Sequence, residues 1–252
     1  GLGVSGLIGT NTFSLHGLYG NRLGRAYLAA SRSAGGRRPH WFTGFDPDDN
    51  LAMADADPGA VMPGAMPRSK PLFPVVNVAL NMVAASGKRL EWQQRKAAPF
   101  TISPTHCGSP ETGYVRSRHY VGGITLGRAL TLSGAAASPN MGYNSSPLVT
   151  FVMTLFNVRL GGWLPNTGRG HEAAWPRGEP PTSTGTLWDE ALGKTSSETP
   201  FVYLSDGGHF ENLGLYEMVR RRCRPIVVVD AVCDPDYLFG DLENAIRKIR
   251  ID

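Results

Sequence analysis

The last fifty residues constrain this chain most. An apolar run, Phe201-Val202-Tyr203-Leu204, leads straight into Ser205-Asp206-Gly207-Gly208-His209-Phe210-Glu211-Asn212. A helix is then expected over about Asn212 to Cys223, a second strand at Ile226 to Val229, and a further helix from about Leu242. This β-α-β-α series predicts parallel strands joined by a right-handed crossover. It also puts the turn after Leu204 at the carboxyl end of a strand, where α/β proteins place their chemistry. A length of 252 residues suffices for one sizeable core, so residues 1–252 are expected to form a single domain.

Within that turn, Asp206 follows a strand directly and precedes two glycines that tolerate positive φ and close backbone approach. The arrangement suits a fixed carboxylate at the mouth of a site. It equally suits an aspartate that only caps the following turn.

Upstream, Asn11 to Arg32 reads as a helix with Thr12 or Ser14 as its cap, weakened by Gly17, Gly20 and Gly24. Residues 33–74 turn to Gly, Pro, Asp and Met without periodicity, which predicts a long surface excursion. Inside it, Asp46-Pro47-Asp48-Asp49-Asn50 has the alternate oxygens of a calcium loop, but Leu51 stands where such a loop needs Gly, so an acidic loop is expected. Val75 to Val83 fits a strand or a short buried helix, Phe100 to Pro104 a strand, and Glu111 to Gly123 a polar connection. A small-residue helix is expected over Thr125 to Ala137 and a strongly apolar one over Ser145 to Leu160, the latter too short to span a membrane. Residues 161–200, rich in Pro, Gly, Ser and Thr, predict a second loop or lid.

With 31 Gly and 19 Pro, about a fifth of the chain favours loops. The net charge of +4 is mild and gathers partly at Arg220-Arg221-Arg222 and Arg224, which fits either an anionic surface or a solvated helix end. That cluster has no interleaved aromatics, so no nucleic-acid partner is expected. Cys107, Cys223 and Cys233 make no C-x-x-C pair and no zinc-ligand spacing, which favours a reduced compartment and predicts neither metal nor cofactor. The opening residues lack a charged segment and a cleavage site of the secretory kind, and the chain begins without Met, as a cut or processed chain would.

The run from Tyr203 to Glu217, followed by Arg221-Arg222-Cys223, resembles the D-G-G/A block of bacterial patatin-like phospholipases. Two further stretches agree with it. Ser133 to Gly142 resembles the A-S-x-A-x-P region of that family, and Phe13-Ser14-Leu15-His16, Asn21-Arg22-Leu23 and Arg25-Ala26-Tyr27-Leu28 resemble a stretch preceding it in large bacterial members. The resemblance implies the C-terminal part of a three-layer α/β domain, with a mainly parallel central sheet flanked by helices and long Gly/Pro-rich loops. It implies a lipid acyl hydrolase or carboxylesterase, of phospholipase or lipase type, working through a Ser-Asp dyad without histidine as base. Asp206 matches the family's aspartate, Gly207 and Gly208 are the glycines that would shape its turn or serve the oxyanion, and His209 becomes a supporting residue.

The family's G-x-S-x-G elbow is absent. Gly3-Val4-Ser5-Gly6-Leu7 comes nearest, with Leu7 in place of the last Gly; Ser138 and Ser205 are weaker candidates, so no nucleophile is identifiable. Expected partners are a lipid or small ester and, peripherally, a membrane, which implies a cytoplasmic location or one at the inner face of a membrane. Two other readings stay open. One is a noncatalytic interaction or membrane-surface module. The other is a carboxylate-pair hydrolase, such as a glycosidase, in which Asp206 works with Glu211, Glu172 or Asp230.

Overall fold

The structure is a computed structural model that describes residues 9–12, 14–32, 34–59, 72–82, 96–137, 153 and 158–252. Six strands form one sheet: β1 (Val76–Asn81), β2 (Ala97–Ile102), β3 (His106–Ser109), β4 (Gly113–Arg116), β5 (Gly162–Pro165) and β6 (Phe201–Asp206). Their order is β4-β3-β2-β1-β6-β5, and every neighbouring pair is antiparallel. Among the described residues, five α-helices accompany them: α1 (Leu15–Leu23), α2 (Leu126–Ser133), α3 (Ser183–Ala191), α4 (Leu215–Arg220) and α5 (Gly240–Ile251).

This corrects the expected mainly parallel, helix-flanked α/β sheet. The parallel reading needed a strand at Ile226 to Val229 to pair beside Phe201 to Leu204. That segment instead runs without secondary structure, with Val227 at 86% and Val229 at 81% exposure. Both sides of β6 are taken by antiparallel neighbours, Val78 facing Asp206 on β1 and Trp163 facing Tyr203 on β5. A short apolar run announces a strand without fixing its direction, and here the pairing comes from residues far upstream.

The alternation of β1 divides the core. Val78, Leu80, Phe100, Ile102, Leu164 and Leu204 point to one face, where Leu132 of α2, Met53 and Tyr120 cover them. Ala79 and Ala97 point to the other, against Phe210, Tyr216 of α4 and Ile249 of α5. The first face is the larger apolar cluster, and truncating one of its fully buried Leu or Phe side chains to Ala would cost about 2–5 kcal/mol.

The first helix starts at Ser14, whose Oγ accepts from His16 N at 3.3 Å, but it is α-helical only to Leu23 before passing into a π turn over Gly24–Leu28. The small-residue helix is α2, begun by Thr125 Oγ1 accepting from Arg128 N and ended at Gly134. The 33–74 excursion is anchored: Met53 is fully buried, and Asp46 and Asp49 are tied down by arginines. The 161–200 segment holds both β5, all four residues of which are buried, and α3. The apolar helix expected over 145–160 lies outside the described residues except at Met153 and 158–160. Among the described residues, no helix is long and apolar enough to cross a membrane.

Candidate functional site

Asp206 is the last residue of β6, the strand next to the β5 edge of the sheet, half-buried, beside Val78 of β1. Its backbone N–H reaches Ala135 O at 3.4 Å, so the segment leaving α2 runs alongside it. Its Oδ1 accepts from Gly208 N at 2.7 Å and caps the single 3-10 turn Gly207–His209. Among the described residues, Oδ2 receives no hydrogen bond. Asp206 therefore both caps the turn and keeps one oxygen for other work.

Neither glycine of the turn needs a positive φ. Gly207 is required for close approach, because a Cβ there would lie 2.8 Å from Asn77 O; at Gly208 a Cβ would crowd Asn212 Oδ1 at 2.9 Å. The Gly208 N–H expected as a candidate oxyanion donor is occupied by Asp206 itself. The left-handed residue of this region is Gly214, with φ 68°, at the entrance to α4.

Beneath the turn lies a buried polar chain that the sequence does not announce. Asn81 Nδ2 donates to Ser205 Oγ at 2.7 Å, and Ser205 Oγ meets His209 Nδ1 at 2.7 Å. Asn81 and Ser205 have no exposed surface. Burial lowers the pKa of His209, while the nearby Asp206 charge and a hydrogen bond to the Ala136 backbone push it the other way, and the ring is neutral at pH 7. Ser205 and His209 thus hold the turn down: a hydroxyl with no exposed surface cannot meet an incoming acyl carbon without the turn opening.

Two hydroxyls border the same place. Tyr19 OH donates to Gly134 O at 2.8 Å, and its pKa is raised by burial and then by the charge of Asp206. Ser133 Oγ donates to Asn77 O at 2.8 Å, the same carbonyl that Gly207 approaches. Ser133 opens the block that resembles the A-S-x-A-x-P region and Tyr19 lies between two matched stretches, but the signal that brings either of them to Asp206 is spatial. Of the serines named from sequence, Ser5 and Ser138 lie outside the described residues, and Ser205 is locked in the polar chain.

The carboxylates proposed as partners of Asp206 are engaged elsewhere. Both oxygens of Glu211 accept backbone N–H groups ahead of α4, from Leu213 at 2.5 Å and Tyr216 at 3.1 Å. Glu172 Oε1 binds Gly170 N, and the exposed Asp230 binds Val232 N. In the basic cluster, Arg220 and Arg221 clamp the buried Glu217, leaving Arg222 and Arg224 at the surface. The acidic loop is equally accounted for, since Asp49 meets Arg32 at 2.9 Å and Arg37 at 2.7 Å, and hydrogen bonds from Arg38 and Arg37 respectively keep Asp46 and Asp49 below the usual carboxylate range. Among the described residues, no three His, Cys, Asp or Glu side chains gather as metal ligands.

Compared with known protein families, curated proteins and solved structures, the chain matches none.

Proposed function

We propose that the chain carries the base of an acyl hydrolase that cleaves carboxylic esters of lipids or small alcohols, with Asp206 in that role. The observation that carries the reading is a carboxylate fixed at the end of an interior strand of the sheet through one oxygen, while the other has no donor among the described residues. A base must be held in place yet keep a free lone pair, and this arrangement satisfies both demands. The resemblance of Tyr203 to Glu217 to the patatin-like D-G-G block supports acyl transfer over other carboxylate chemistry.

In this reading Asp206 Oδ2 takes the proton of an attacking serine hydroxyl as its oxygen adds to the ester carbonyl. The proton passes to the departing alcohol, an acyl-enzyme remains, and water releases the acid by the same route. His209 is a positioning residue that acts through Ser205 on the turn.

The test is hydrolysis of p-nitrophenyl acetate and p-nitrophenyl palmitate by the chain and by Asp206→Asn, with fluorophosphonate labelling to locate the serine. Loss of turnover by about 10²–10⁴-fold at unchanged Tm is expected for removal of a positioned base. Equal turnover by Asp206→Asn would sink the assignment.

A second reading, a noncatalytic interaction or membrane-surface module, is favoured by the exposed apolar stretch that includes Val227, Val229, Tyr237 and Leu238, the last two at 77% and 74% exposure. It predicts no ester turnover together with vesicle binding that Val227→Asp/Val229→Asp abolishes.

A further inference from the structure

The segment after α4 is built like a strand. Ile226-Val227-Val228-Val229 is β-branched throughout and runs on to Ala231 without bend or turn. Its exposures alternate, with Val227 at 86%, Val228 at 39% and Val229 at 81%. That is the pattern of an extended segment with one face partly covered and the other bare. Among the described residues, no backbone N–H or C=O group of Ile226 to Val229 makes a hydrogen bond. Free backbone groups in a row beside bare valines are what a further strand pairs with.

The charges on either side select the strand that fits. Before the segment stand Arg222 and Arg224, both exposed, while Arg220 and Arg221 are held by Glu217. After it come the exposed Asp230 and Asp236 and, between them, Asp234, whose oxygens accept from Leu238 N and Phe239 N. Asp241 and Glu243 in the first turn of α5 continue the acidic side. The segment is cationic at its entry and anionic at its exit. A second copy laid parallel would set like charges side by side, whereas one laid antiparallel sets opposite charges across the ladder, which favours pairing. With the twofold axis at Val227, Ile226 lies across from Val228 and Arg224 across from Asp230, and symmetry repeats each pair.

We propose that Ile226 to Asp230 is a self-association strand, along which two copies of the chain pair antiparallel across a twofold axis with Arg224 of each opposite Asp230 of the other. Val232, Tyr237 and Leu238, all exposed, widen the apolar border. Residues 226–239 supply fourteen residues a side, against about 20–30 in a standard stable interface, so a dimer of micromolar strength is expected. The proposal rests on the exposed stretch of the second reading, gives it a protein occupant rather than a lipid one, and does not depend on the ester chemistry assigned to Asp206.

The experiment is sedimentation equilibrium of the whole chain, from about 5 to about 200 µM, for the wild type, Arg224→Asp, Asp230→Arg and the double variant Arg224→Asp/Asp230→Arg. The wild type should dimerise within this range. Each single reversal sets like charges across the ladder twice and should weaken the dimer at least about 10-fold, while the double variant restores both pairs and should recover wild-type association. Both positions are exposed, so Tm at low concentration should stay close to that of the wild type. A wild type that stays monomeric, single reversals that dimerise as well as the wild type, or a double variant no better than the singles overturns the proposal. Binding of a monomeric wild type to phosphatidylcholine/phosphatidylserine vesicles overturns it in favour of a lipid surface. Turnover of p-nitrophenyl acetate reads Asp206 separately, so the two assignments fail independently.

Discussion

The pH dependence of stability should be written largely by one residue, His16. Its ring is buried, and burial is the main reason its pKa falls from 6.5 to about 4; Arg128 and Arg159 lower it further, while the Leu160 carbonyl and Glu179 oppose them. The folded-state pKa is depressed, so the unfolded chain takes the proton first as the solution is acidified. Stability is full above pH 6.5 and drains away as pH falls towards about 4. At 1.36 kcal/mol per pH unit the whole effect is about 3 kcal/mol, and at pH 5 about 2 kcal/mol of it is already lost. With a urea slope of about 2 kcal/mol/M, the midpoint should drop by about 1 M between pH 7.5 and pH 5. His209 is depressed in the same direction, so the decisive quantity is a difference. In His16→Asn, whose amide can still donate to Leu160 O, the drop should shrink by that ~1 M, whatever the mutation does to stability at pH 7.5. A variant that loses as much stability as the wild type over this range would refute the burial argument.

Three further perturbations probe the framework of the site. Ser205→Ala removes the centre of the Asn81–Ser205–His209 chain and strands buried groups on both sides, so chemical denaturation should show a loss of about 1–3 kcal/mol. Glu190→Ala deprives the fully buried Arg159 of its ion pair, leaving Thr10 O as its acceptor; the loss should be about 3–5 kcal/mol, and Arg159→Met in the same background should recover much of it. Gly214→Ala forces a side chain into a left-handed conformation 2.9 Å from Asn77 Nδ2 and should cost more than ~1 kcal/mol, read as a lower Tm.

How far the sequence discloses this molecule depends on the range of the interaction concerned. Local signals hold: Ser14 and Thr125 cap helices, Phe201 to Leu204 is a strand, and Asp206 enters a tight turn. Failures gather where distant segments decide. The strand β5 sits in a stretch rich in turn-forming residues because only its pairing with β6 organises Gly162 to Pro165. Ile226 to Val229 has every β-branched feature of a strand yet finds no partner in the described chain, so propensity alone yields no pairing. Asn81 and Tyr19 lie more than a hundred residues from Ser205 and Asp206, and only the fold brings them there.

The correction to the sheet does not displace Asp206. What makes its carboxylate available is local: a strand that ends there, a Gly208 N–H that holds one oxygen, and a glycine at position 207 that lets the chain pass close to Asn77 O, which a Cβ would meet at 2.8 Å. None of these depends on whether the neighbouring strands run parallel or antiparallel. Strand direction decides which other groups are brought to the mouth. Here antiparallel β1 contributes Asn77, with Asn81 buried beneath, and the exit of α2 contributes Gly134 and Ala135, in place of the helix N-terminus that a parallel unit would supply. In the proposed ester chemistry, the donors for an oxyanion accordingly come from loop backbone or side chains around the α2 exit. Substitutions at Ser133 and Tyr19 should therefore affect ester turnover more than changes in α4, which is tied to Glu211 and Glu217 on the opposite face of the sheet.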